Sequence, residues 1–149
     1  MKLSTKGRYG VMAMVDLALN SQDGPVSLKA VAERQGLSEN YLEQLAGPLR
    51  KAGLITGVRG AQGGYTLARE AQGITVGDII RVLEGPIAPV DCASESEGPY
   101  QHCAKSQGCV ARSVWVKLRD SITKALDSVT LADLVTEART DAENYSLYL

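Results

Sequence analysis

Residues 27–46 read Ser27-Leu-Lys-Ala-Val-Ala-Glu-Arg-Gln-Gly36-Leu-Ser38-Glu-Asn-Tyr-Leu-Glu-Gln-Leu-Ala46. Ser27 is placed to cap a short helix with Leu28, Val31 and Ala32 on its buried face, and Gly36 to end it in the left-handed conformation. Two residues later Ser38 can cap another helix, whose apolar positions Leu42, Leu45, Ala46 and Leu49 recur at i, i+3, i+4 and i+7. A short helix, a Gly-Leu-Ser turn and a second helix make the helix-turn-helix arrangement.

The flanking segments extend this unit. Upstream, Val11, Met14, Val15 and Ala18 share one face of a first helix over residues 6–20, and Gly24 and Pro25 break it. Downstream, Pro48 removes a donor inside the third helix and predicts a kink or a reset there, with Gly53 marking the end. Residues 54–59 and 65–68 read as two short strands joined by Gly60-Ala-Gln-Gly63-Gly64, the hairpin of a winged helix. Thr75 and Asp78 signal the start of a fourth helix with Val76, Ile79, Ile80 and Leu83 inward, stopped by Gly85 and Pro86. After Cys109 a long helix carries Val110, Val114, Leu118, Ile122 and Leu126 every four residues, a stripe widened by Trp115, Ala125 and Val129. A small winged helix has little surface to cover such a stripe, which predicts a symmetric partner and a homodimer. Thr130 and Asp133 open a last helix with Leu131, Leu134, Val135 and Ala138 inward, and the tail stays polar until residues 145–149. The expected fold is mainly α: a winged helix-turn-helix domain with a two-stranded wing over residues 1–85, a cysteine-containing loop over 86–108, and a dimerisation helix with a C-terminal helix over 109–149.

The 44% hydrophobic and 22% charged content is that of an ordered globular chain, and with Phe absent the core must rest on aliphatic residues. No apolar run approaches the roughly 20 residues of a membrane span, and Asp16 interrupts the one N-terminal run that resembles a secretory signal. A cytoplasmic protein without membrane attachment is expected. Residues 1–69 carry nine Lys and Arg against five Asp and Glu, whereas residues 70–149 carry seven against twelve. That asymmetry directs a polyanion to the first half. His102, the single histidine, adjoins no nucleophile motif, and no paired carboxylates stand out, so neither an enzyme nor a small-molecule substrate is expected.

In a helix-turn-helix the second helix enters the major groove. Its outward N-terminal residues here are Ser38, Glu39, Asn40, Tyr41, Glu43 and Gln44. Asn and Gln can pair adenine, and a carboxylate can accept from the cytosine amino group. Arg50 and Lys51 are phosphate candidates. Arg59 suits a narrow minor groove, with Gly63 and Gly64 letting the wing backbone approach the duplex. Ten residues separate Cys92 from Cys103 and five separate Cys103 from Cys109. The lack of a Cys-x-x-Cys pair argues against zinc and against a redox dithiol. Three thiols on one loop suit an iron-sulfur cluster that still needs a fourth ligand, although scattered cytosolic thiols can also be inert.

Met1-Lys-Leu-Ser-Thr-Lys-Gly-Arg-Tyr9, Tyr41-Leu-Glu-Gln-Leu45, Leu49-Arg-Lys-Ala-Gly-Leu54 and Val58-Arg-Gly-Ala-Gln-Gly-Gly-Tyr65 resemble the IscR, NsrR and CymR group of winged-helix regulators. The resemblance covers nearly the whole chain. It implies a homodimer held by the long helix, double-stranded DNA with a palindromic operator read by the third helix and wing, and, in IscR and NsrR, a cluster on three loop cysteines. Cys92, Cys103 and Cys109 match those positions, and the IscR-type assignment implies a 2Fe-2S cluster with regulation of cluster-assembly genes. Two alternatives stay open: an NsrR-like nitric oxide sensor, and a CymR-like cofactor-free repressor of cysteine and sulfur metabolism genes answering a partner protein or thiol oxidation. Residues 77–90 look similar to CymR, whose type lacks the cysteines. IscR-type members carry His three residues after the third cysteine, where this chain has Arg112. A guanidinium has no lone pair for iron, so His102 is the leading fourth ligand, beside Asp91, Glu95, Glu97, Glu43 or an external thiol.

Overall fold

The computed structural model describes residues 3–96, 103, 105 and 107–149. Helix α1 (Thr5–Asn20) begins at Ser4, whose hydroxyl accepts from the Lys6 amide. Helices α2 (Leu28–Gln35) and α3 (Glu39–Lys51) start the same way: Ser27 Oγ accepts from the Ala30 amide and Ser38 Oγ from the Tyr41 amide. Gly36 closes α2 at φ 66° and ψ 33°, a left-handed turn that a Cβ would penalise. Pro48 does not reset α3, which runs through it to Lys51. Pro48 offers no N–H to the Gln44 carbonyl, and both residues are exposed.

Strands β1 (Ile55–Val58) and β2 (Gly64–Leu67) pair antiparallel with Ile55 opposite Leu67 and Val58 opposite Gly64. The linker between α1 and α2 joins them, Val26 and Tyr65 exchanging N–H···O bonds of 2.9 and 2.8 Å. A Cβ on Gly64 would stand 2.3 Å from the Val26 carbonyl oxygen, so this approach requires glycine.

Helix α4 (Val76–Glu84) opens on the expected reciprocal cap of Thr75 and Asp78. It crosses α1 closely, because Gly10 there presents no side chain to Leu83: a Cβ would lie 2.0 Å from Leu83 Cδ1. Helices α5 (Val110–Asp127), α6 (Leu131–Thr140) and α7 (Ala142–Ser146) complete the chain. Met14, Val31, Leu42, Leu54, Ile74, Ile79 and Leu131 are fully buried in one cluster. Leu131 brings α6 into the same core as the helix-turn-helix, and its amide donates to the Ile74 carbonyl at 2.9 Å.

Asp16 is wholly buried in this core. Its carboxylate accepts from Arg34 Nη2 at 2.7 Å and Nε at 3.0 Å, and from Gln35 Nε2 at 3.0 Å. The hydrogen bonds to Asp16 raise the Arg34 guanidinium above its ordinary value. A carboxylate among apolar residues thus locks α2 onto α1, since a buried charge is tolerated only when paired. The tail docks on the same network: Asn20 Nδ2 donates to the Tyr148 carbonyl and Gln35 Nε2 to that of Leu147, each at 3.2 Å. Burial, and then the Asp16 charge, push the Tyr148 phenol up.

Helix α5 has no buried residue. Its expected stripe divides: Val110, Val114 and Leu118 are exposed, as is Trp115, whereas Ile122 and Leu126 are half-buried. The helix turns 100° per residue, so a repeat of four drifts about 40° each time and about 160° from residue 110 to 126. The apolar residues at the two ends of α5 therefore face different sides.

Candidate nucleic-acid interface

Gly36 fixes where α2 ends and Ser38 where α3 begins, and Leu42, Leu45, Ala46 and Leu49 bury one side of α3. The other side is left to solvent, exposing Glu39, Asn40, Glu43, Gln44, Arg50 and Lys51. The wing rises beside this face, and a groove runs between them, lined by Glu39, Glu43 and Arg50 from α3 and by Val58, Arg59 and Gly63 from the wing. Arg59 is exposed at the entry to a tight turn. Gly60 holds φ 110° there, the Gly63 amide donates to the Gly60 carbonyl at 2.9 Å, and a Cβ on Gly63 would lie 2.1 Å from the Val58 oxygen. The glycines keep the wing thin at the point where a duplex would meet it. The groove combines two carboxylates with two guanidinium groups, a mixture suited to reading base edges within a phosphate-lined channel.

Tyr41 and Ser38 sit differently from the other predicted contacts. The Tyr41 ring is half-buried and meets Tyr9 edge-on at 6.2 Å between centroids, and its hydroxyl donates to Thr5 Oγ1 at 3.3 Å. It ties the first turn of α3 to the start of α1. Ser38 is exposed, with its hydroxyl oxygen engaged by the Tyr41 amide. This contact brings Thr5, Lys6 and Arg8, all exposed, up to the recognition helix. The sequence alone assigns these three no role; the signal it offers is Lys6 and Arg8, two of the three cations among the first eight residues.

Cys92 lies half-buried in a short turn (Asp91–Ala93), and Cys103 and Cys109 are exposed. Arg112, in the first turn of α5 after Cys109, donates through Nε to the Cys92 carbonyl at 2.9 Å. Arg119 reaches the Ser94 carbonyl at 3.2 Å. Arg81 of α4 grips Glu95 at 2.8 and 2.9 Å and Asp127 at 2.6 and 2.9 Å, which holds both carboxyls below the usual range. Glu95, a candidate fourth ligand, is therefore committed to an arginine. His102 and Glu97 lie outside the described residues. Among the described residues no group of three or more His, Cys, Asp and Glu side chains is gathered closely enough to hold a metal ion, and no helix is long and apolar enough to cross a membrane. Thiols as donors are of a kind that suits iron, and the Arg112 side chain ties the start of α5 to the backbone, not the thiol, of Cys92.

The sequence profile of the Rrf2 family, described as iron-dependent transcriptional regulators, matches residues 3–137. The chain is 48% identical over 149 residues to the HTH-type transcriptional regulator CymR of Bacillus subtilis (strain 168), covering 100% of each chain. The solved structure of CymR, the global cysteine regulator of B. subtilis, superposes with a TM-score of 0.75 at 50% identity, over 92% of this chain and 98% of that one. The structure of T. potens IscR gives 0.73 at 55% identity, over 93% and 88%.

Proposed function

The chain belongs to the Rrf2 family, whose members are transcriptional regulators and not enzymes, and on that premise we propose that it is a cytoplasmic, homodimeric repressor of the IscR type, controlling iron-sulfur cluster assembly genes through a 2Fe-2S cluster. Helix α3 enters the major groove of a palindromic operator with Asn40, Glu43 and Gln44 toward base edges. Ser38 stands with these base-facing residues, Arg50 and Lys51 meet phosphates, and Arg59 enters the minor groove with Gly63 and Gly64 close to the backbone. The exposed part of α5, from Val110 to Leu118, closes the two-fold dimer that joins the half-sites.

Cys92, Cys103 and Cys109 hold the cluster, with His102 as the fourth ligand. When bound, the cluster supplies a redox-active group that oxidants and iron scarcity can remove. The protein's part is mechanical. Arg112 fixes the backbone at Cys92, and Arg81 ties the same segment to α4 through Glu95. In the same last turn, three residues beyond Arg81, α4 carries Glu84, which accepts from the Gly7 amide at 2.9 Å and from the Ser4 hydroxyl. The start of α1 then reaches α3 through Thr5 and Tyr41. A change in the loop thereby has a contiguous route to the recognition helix.

The observation that carries this reading is the placement of all three thiols on one loop whose arms are joined by Arg112 and Cys92. The test is anaerobic purification with iron and sulfide. Brown protein with visible absorption, equal amounts of iron and sulfide, and a DNA affinity that changes about 5 to 150-fold on cluster loss is expected. Colourless protein with unchanged DNA binding supports a second reading, a CymR-like cofactor-free repressor of cysteine and sulfur metabolism genes. Arg112 at the position of the IscR-type histidine, and identity to CymR along the full chain, favour that alternative.

A further inference from the structure

We propose that the start of α1, through Lys6 and Arg8, is a second phosphate-binding element for the DNA that α3 reads; this rests on the DNA-binding reading above. Successive helix residues are about 100° apart, so Thr5 and Tyr9 share one face while Lys6 and Arg8 stand about 80° to either side of it. That face is the one applied to α3: Tyr41 donates to Thr5 Oγ1 and meets the Tyr9 ring edge-on. The Arg8 guanidinium carbon lies 5.8 Å from the centre of the Tyr9 ring. Two exposed cations therefore flank the contact that fixes the first turn of the recognition helix.

Side chains carry this site, and the helix terminus does not. The Lys6 amide is taken by Ser4 Oγ and the Gly7 amide by Glu84 Oε1. Glu84 directs its charge to that terminus, and Lys6 and Arg8 form no ion pair among the described residues. The position also answers a geometric need. Helix α3, of 13 residues, is about 20 Å long, more than the roughly 12 Å width of the major groove, so phosphates stand near both of its ends. Arg50 and Lys51 supply charge at the C-terminal end. At the N-terminal end Glu39 has the wrong sign, and Lys6 and Arg8 are the cations placed there.

The experiment titrates wild type, Lys6→Ala, Arg8→Ala, the double variant and Arg59→Ala against two 30-base-pair duplexes, one selected from a random pool by the wild-type protein and one of scrambled sequence, from 50 to 200 mM salt. Thermal melting checks that each variant is folded. Each single substitution is expected to weaken both duplexes by the same factor and to make the log-log salt slope shallower by about 0.9, so that the loss of affinity across this salt range is about 3.5-fold smaller. Arg8→Lys should restore the slope. Wild-type slope and affinity in the double variant, with Arg59→Ala still weakened, overturn the proposal and leave the DNA-binding reading intact. Loss of selectivity at an unchanged slope also overturns it, because phosphate contacts carry no sequence information. No binding of either duplex by wild type overturns both readings.

Discussion

Removing either partner of the buried Asp16–Arg34 pair should destabilise the protein unequally, and the order follows from exposure. The Asp16 side chain is 0% exposed, whereas that of Arg34 retains 19%. Arg34→Met strands a carboxylate with no access to water, held by Gln35 and a long contact from Asn20 at 3.4 Å. Asp16→Ala strands a guanidinium that can turn outward. Breaking buried pairs costs about 3 to 5 kcal/mol, so Arg34→Met belongs near about 4.5 and Asp16→Ala near about 3. The double variant leaves no unpaired charge and should cost no more than Arg34→Met alone, a coupling of about 3 kcal/mol. For a chain of this length the Asp16→Ala loss corresponds to a melting temperature lower by about 6 to 12 °C. Urea unfolding followed by circular dichroism at one protein concentration measures all four species, the fixed concentration being needed for an oligomer. Additive losses, or Asp16→Ala proving the costlier variant, refute the reasoning.

The remaining expectations concern the dimer, the arginine network and the cysteines. Leu118 is 41% exposed in the protomer, so Leu118→Asp should alter protomer stability by only about 0.5 kcal/mol while sedimentation shifts to the monomer; an unchanged dimer contradicts the assignment of α5. Arg81 depresses the carboxyls of Glu95 and Asp127, so their contribution to stability is complete above the ordinary carboxylate range near about pH 4 and is lost as pH falls through the lower folded values. Arg81→Met should lower the melting temperature at neutral pH and flatten its decline in acid; parallel melting curves for variant and wild type would argue against this. Cys92→Ser, Cys103→Ser and Cys109→Ser should each abolish visible absorption of anaerobically reconstituted protein without lowering its melting temperature, and retention of full absorption in any one removes that thiol from the ligand set.

The parts of the fold legible in the sequence are those governed by local chemistry. Ser27, Ser38, Thr75 and Thr130 each cap a helix, and Gly36 and Gly85 close two, because a cap satisfies backbone groups within three residues of itself. Contacts between distant segments were not legible. Asp16 read as an interruption of an apolar run, since nothing near it announces that Arg34 will arrive from α2. Tyr41 read as a groove residue because helical spacing does not distinguish a ring turned to Tyr9 from one turned to solvent. The docking of the tail on Asn20 and Gln35 spans more than a hundred residues and leaves no local mark. In the candidate interface the exposure of Asn40, Glu43, Gln44 and Arg59 followed from periodicity and glycine content, while the approach of Lys6 and Arg8 required the packing of α1 on α3.

Selection from a random pool of duplexes, performed side by side with wild-type protein and with Gln44→Ala and Glu43→Ala, bears on whether α3 of a two-fold dimer reads DNA. Wild type should enrich an inverted repeat whose half-site centres lie about one helical turn, or a multiple of it, apart. The two variants should enrich repeats altered at corresponding bases in both halves, since base contacts carry selectivity. Enrichment of no inverted repeat by wild type, or identical repeats from wild type and both variants, would contradict the reading of α3 as the helix that recognises the operator.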